Sequence, residues 1–149
     1  MSQISDYHRY KEDYLLVDFV TVQDYLEGLE AISKQLSAGD HKSLTYLAAA
    51  VSDFYLPMDS LSEHKIQSRE LNTLEISLEP VPKLLGHVKS EWNPQTHAVS
   101  FKLETDEAIL EKKARGSIEK YDMDLVVANL LQTARSQCIM YPKSTATEP

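Results

Sequence analysis

The chain has 149 residues, 42% of them hydrophobic and 26% charged, with a formal net charge of −8. That supplies the core of one domain, and the acidic balance disfavours duplex nucleic acid or an anionic membrane as a partner. A single cysteine, Cys138, rules out an intrachain disulfide framework and suits a reducing compartment.

No apolar run approaches the roughly 18–20 residues that span a bilayer, and the opening Met1-Ser-Gln-Ile-Ser-Asp-Tyr-His8 has no apolar signal segment. A cytoplasmic location is the expectation. The four glycines, Gly28, Gly39, Gly86 and Gly116, are too scattered for a phosphate-binding loop or a dinucleotide fingerprint. The five histidines show no metal-ligand spacing, so no metal site is expected from protein ligands alone.

In chain order, Asp6–Lys11 reads as the end of a helix and Tyr14–Phe19 as a short buried strand. Thr21 is a candidate N-cap. Val22, Tyr25, Leu26, Leu29, Ile32 and Leu36 then recur at helical spacing until Gly39. Ser43–Val51 reads as a strand, apolar enough at Leu47–Val51 to be covered on both faces. An irregular stretch, Ser52–Ser62, follows. Leu74–Leu78 alternates like a strand, and Pro82 suits the first turn of a helix through Trp92. His97–Leu103 predicts a strand, Thr105 or Asp106 a cap for a helix to about Tyr121, and Asp124–Ala128 a last strand. The alternation implies an α/β fold: a three-layer, Rossmann-like, mainly parallel sheet with helices on both faces. Residues 1–141 form the domain and 142–149 a polar tail.

In such sheets ligands bind beyond the carboxyl ends of the strands. Ala49–Phe54, Phe101–Thr105 and the residues from Asn129 onward follow strand ends, so they are expected to share a cleft. The small side chains Ala48–Ala50 would let a ligand reach the main chain, or simply pack tightly. Asp53 suits a ligand contact or a turn cap. Lys65 suits contact with a phosphate or acyl-phosphate oxygen, or plain solvent, and His64 an acid–base role or a solvated loop. Pro80–Leu85 opens a helix whose N–H groups would hold a phosphate, or merely starts it. Phe101 suits a ligand wall or core packing, and Asn129 the reading of a base edge or the capping of a turn.

Four segments in this order are more specific than any one of them. Tyr46-Leu-Ala-Ala-Ala-Val-Ser-Asp-Phe-Tyr-Leu-Pro57, His64-Lys-Ile-Gln-Ser68, Ser100-Phe-Lys-Leu-Glu-Thr-Asp106 and Asp124-Leu-Val-Val-Ala-Asn-Leu-Leu131 together resemble the eukaryotic-type phosphopantothenate–cysteine ligase family over Leu15–Leu131. The resemblance implies ATP-dependent ligation of cysteine to 4′-phosphopantothenate through an acyl-adenylate, with Mg²⁺, in coenzyme A biosynthesis, by a homodimer. It implies phosphopantothenate contacts at Ala49, Ala50 and Asp53, and nucleotide contacts at Phe101, Asn129, Pro82 and Lys83. Lys65 matches the lysine linked to the nucleotide and to turnover of the intermediate. Bacterial relatives carry Lys-x-Lys-Lys where this chain has Lys65-Ile-Gln-Ser68, which points to ATP rather than CTP. The family's first strand and its glycine- and serine-rich loop have no counterpart here. The resemblance thus implies a sheet incomplete at its N-terminus and a chain inactive alone, or alternatively an interaction or regulatory partner of a full-length ligase.

Overall fold

The computed structural model describes residues 3–60, 64 and 73–144. A helix, α1 (Gln3–Tyr10), runs into a 3₁₀ turn, Lys11–Asp13. Residues 14–19 are extended but join no ladder, and their side chains lie in solvent, Leu15 at 82% exposure. The expected buried strand is therefore absent. Apolar composition makes a strand only beside a neighbour with free N–H and C=O groups, and none of the described residues supplies one. Helix α2 (Val22–Ser37) begins as expected: Thr21 Oγ1 accepts from the Asp24 N–H at 3.1 Å, and Asp24 Oδ2 accepts from the Thr21 N–H at 2.9 Å.

The main sheet has the order β1-β4-β5-β6, formed by β1 (Leu44–Leu47), β4 (His97–Glu104), β5 (Leu125–Leu130) and β6 (Ile139–Pro142). The first three strands are parallel and β6 is antiparallel. A separate two-residue bridge pairs β2 (Phe54–Tyr55) with β3 (Glu79–Pro80). This is the expected α/β architecture, a mainly parallel sheet with helices packed on it. β1 is shorter than the expected Ser43–Val51, because the ladder stops at the Leu47–Ser100 pair. Nor is it covered on both faces: Leu44 and Tyr46 are exposed.

Two further expectations fail, and one strand was not expected. Residues 74–78 are exposed and extended, with pairing confined to β3. The continuous helix from Pro82 to Trp92 is instead a 3₁₀ turn, Leu84–Gly86, followed by one π turn, Val88–Trp92. Lys83, at ψ 77°, is not helical, and the Asn93 N–H reaches the Val88 carbonyl at 2.7 Å, the wider spacing of a π turn. The unexpected strand is β6, Ile139–Pro142.

Helix α3 (Glu107–Tyr121) is capped by the Asp106 carboxylate, which accepts from the Ala108 N–H at 2.9 Å. It buries Leu110, Ala114 and Ile118 against Ala98, Val126 and Ala128, with Met123 beneath. These sheet residues occupy every second position on β4 and β5, as one face of a pleat requires. The alternate positions turn Leu44, Tyr46, Leu103 and Met140 to the opposite face, where all four are exposed.

The amino ends of β4 and β5 are fixed by charge. Lys89 Nζ donates to both oxygens of Asp124, at 2.9 and 2.8 Å, and the Ala98 N–H donates to Oδ2 at 2.8 Å. Partial burial works to raise the Asp124 carboxyl, but the bonds from Lys89 and Ala98, with the Lys89 and His97 charges, hold it below the ordinary carboxylate range. The bond from Lys143 likewise lowers Asp122 against some burial. A depressed folded-state pKa means that this stability is present above the unfolded carboxyl value, about 3.9, and is lost as pH falls through the folded one. Asp124→Asn should cost roughly 2 kcal/mol at neutral pH, less than the figure for a fully buried pair because this one is partly wet. It should also flatten the loss of stability below about pH 4. Urea unfolding of both proteins at pH 7 and at acid pH checks this, and equal pH slopes would refute it.

Candidate functional site

A cleft of about 330 Å³ opens where the carboxyl ends of β1 and β4 meet the 81–85 segment. Its floor is Ala49, Ala50 and Asp53, which leave β1 as an exposed loop. The Val81 N–H donates to the Asp53 carbonyl at 2.9 Å, which ties this loop to Pro82 and Lys83 on the opposite rim. Apolar side chains of α2, among them Tyr25 and Leu29, and Tyr121 of α3 complete the wall. Burial pushes the Tyr25 hydroxyl up.

Phe101 is half-buried and lines the cleft, its ring edge-on to Tyr46 with centroids 4.9 Å apart. Ala49, Ala50, Asp53, Pro82, Lys83 and Phe101 therefore share one cavity. Asn129 does not line it. Its amide donates to the Gln137 carbonyl at 2.7 Å and so caps the turn before β6. Lys65 lies outside the described residues. His64 is described but does not line the cleft. The helix start expected to hold a phosphate near Pro82 is a three-residue 3₁₀ turn, so Lys83 reaches the cleft as a side-chain charge, not as part of a helix terminus.

Lys102 lies in the Phe101–Thr105 segment expected at the cleft but was not singled out there; it lines the cleft from β4 beside Ser100 and Phe101. Lys113 Nζ donates to Glu104 Oε2 at 2.9 Å and Lys102 Nζ stands 3.3 Å from Oε1. The Lys113 bond foremost, against some burial and aided by Lys102, holds Glu104 below the ordinary range. Among the described residues, the charged ones lining the cleft are Asp53, Lys83 and Lys102. A second cleft, of about 350 Å³, shares Lys83 and Tyr121 with the first and adds His87, Lys89 and Lys120.

Small backbone-exposing residues, an aromatic wall and two lysines suit an elongated ligand with an anionic end. Among the described residues no cluster of three or more His, Cys, Asp or Glu could hold a metal ion. A Mg²⁺ held mainly by nucleotide phosphates and water would need no such cluster. No helix among the described residues is long and apolar enough to cross a membrane.

Residues 9–144 match the model of the DNA/pantothenate metabolism flavoprotein C-terminal domain. The phosphopantothenate–cysteine ligase of Mus musculus is 43% identical over 135 residues, which is 91% of this chain and 43% of that protein. Phosphopantothenate–cysteine ligase 1 of Oryza sativa subsp. japonica is 44% identical over 139 residues, 92% of this chain and 43% of that one. A solved structure of a Cab2 mutant in complex with phosphopantothenate-cysteine superposes with a TM-score of 0.81 at 41% identity, covering 93% of this chain and 47% of that one. The chain thus spans somewhat less than half the length of these relatives. With that match over most of its residues, the chain belongs to the DNA/pantothenate metabolism flavoprotein C-terminal domain family, alongside the phosphopantothenate–cysteine ligases it resembles.

Proposed function

We propose that the cleft is the substrate pocket of an ATP-dependent phosphopantothenate–cysteine ligase. The carrying observation is the convergence of Ala49, Ala50, Asp53, Pro82, Lys83 and Phe101 on one cavity, in a chain 41% identical to a protein solved with phosphopantothenate-cysteine. In this reading the phosphopantothenate carboxylate attacks the α-phosphorus of ATP and pyrophosphate leaves. The cysteine amine then attacks the acyl carbon, forming the amide, releasing AMP and giving up a proton. A carboxylate is a poor acylating agent, and adenylation supplies its leaving group. The protein's share is orientation and charge stabilisation. Ala49, Ala50 and Asp53 hold phosphopantothenate. Phe101, Pro82 and Lys83 meet the nucleotide, and Lys65 meets the reacting oxygens. Asn129 remains the weakest nucleotide contact, because its amide is already engaged. Any Mg²⁺ travels with the nucleotide phosphates, and no step is assigned to it.

Titration calorimetry of the chain with 4′-phosphopantothenate, and with ATP and Mg²⁺, tests the reading. Saturable binding of both is expected. No heat from 4′-phosphopantothenate at millimolar concentration would sink it. The exposed sheet face supports a second reading, an interaction partner of a full-length ligase. Co-sedimentation with such an enzyme at micromolar concentration is then expected, and separate sedimentation would exclude that reading.

A further inference from the structure

We propose that Lys102 is an anion-binding residue of the cleft, taking a phosphoryl oxygen of the ligand; this rests on the ligase reading above. The Leu47–Ser100 pair is the last between β1 and β4, so Lys102 stands two residues beyond the ladder's end, and it lines the same cleft as Ala49 and Ala50. Its charge is poorly compensated. Glu104 is shared with Lys113, which makes the shorter contact at 2.9 Å, while Lys102 is left at 3.3 Å. One carboxylate between two ammonium groups leaves a net positive charge, and Lys102 is the more loosely held of the two. Its side chain is 36% exposed, whereas that of Glu104 is only 10% exposed. In a chain of net charge −8, the described residues line this cleft with two lysines, Lys83 and Lys102, against one acid, Asp53. A lysine is a compact point charge on a flexible stem, suited to leaving a weak internal partner for a phosphate oxygen.

The anion belongs either to the nucleotide phosphates or to the phosphate of phosphopantothenate, and separate titrations distinguish them. Wild-type, Lys102→Gln, Lys102→Arg and Glu104→Gln chains are titrated with tripolyphosphate, with ATP and Mg²⁺, and with 4′-phosphopantothenate, at low and high salt. Thermal midpoints are recorded alongside. Lys102→Gln should weaken tripolyphosphate and one of the two natural ligands roughly tenfold, the scale of one charge-assisted hydrogen bond, and reduce the salt dependence of binding. Lys102→Arg should stay within about threefold of wild type, and it serves as the test if Lys102→Gln does not fold. Glu104→Gln, which frees the ammonium, should bind at least as tightly as wild type. The proposal is overturned if Lys102→Gln binds all three as wild type does. Equal weakening by Glu104→Gln would also overturn it, by making the two residues a structural pair. Wild-type chain that binds tripolyphosphate through Lys102 but neither natural ligand would refute the ligase reading and keep the anion site. Wild-type chain that binds none of the three would refute both.

Discussion

Ala50→Leu should weaken 4′-phosphopantothenate binding by roughly a hundredfold, within the range by which a pocket discriminates against an added methylene or more, while leaving the unfolding temperature almost unchanged. Ala50 lies beyond the end of β1, exposed, on the cleft floor opposite Lys83. Three added carbons there occupy space that a ligand needs in order to reach the main chain. They displace nothing in the core, so the stability effect belongs with ordinary surface substitutions, within about 0.5 kcal/mol. Calorimetry and a thermal scan on the same sample separate the two effects. Binding within threefold of wild type would remove Ala50 from the site.

Leu110→Ala should be the most damaging core truncation, at about 3 kcal/mol. Leu110 is 1% exposed and sits in the cluster with Ala114, Met123 and Val126, where α3 meets β4 and β5. The sheet beneath carries small residues, Ala98 and Ala128, which cannot swing in to refill the space. Urea unfolding of the variant should show a lower midpoint with an unchanged slope. Leu103→Ala, at a side chain 53% exposed on the other face of β4, is the control and should cost little. A Leu110→Ala cost below about 1 kcal/mol would mean that the cluster repacks.

These elements were legible because their signals are local. Thr21 and Asp106 cap α2 and α3 as their types suggest, and the alternation of β4 survives in its burial pattern. What was misread depends on partners. Tyr14–Phe19 and Leu74–Leu78 have strand composition, but nothing among the described residues pairs with them along their length. β6 has only four residues and ends in proline, yet it forms because the edge of β5 accepts it. The π turn at Val88–Trp92 reflects tertiary packing, with Val88 and Trp92 both buried. In the cleft, residues at strand ends were found by position. Asn129 was misplaced because its competing acceptor, the Gln137 carbonyl, lies eight residues on, in a turn no motif marks. Lys102 falls in the Phe101–Thr105 segment expected at the cleft, though nothing in the motif singled it out.

The core is distributed unevenly along the chain. Of the twelve buried hydrophobic residues among those described, nine fall between Ala98 and Ala128, and the remaining three are Val81, Val88 and Trp92. In amide hydrogen exchange that middle stretch would behave as one slow unit that opens only with global unfolding, whereas the exposed loop after β1 would exchange through small local openings. Phe101 belongs to the slow unit, and Ala49, Ala50 and Asp53 to the fast one. A ligand held between them must quiet the fast side. Its measured affinity therefore includes the entropy of ordering that loop, and slowed exchange at residues 48–53 would report occupancy even where the heat of binding is small.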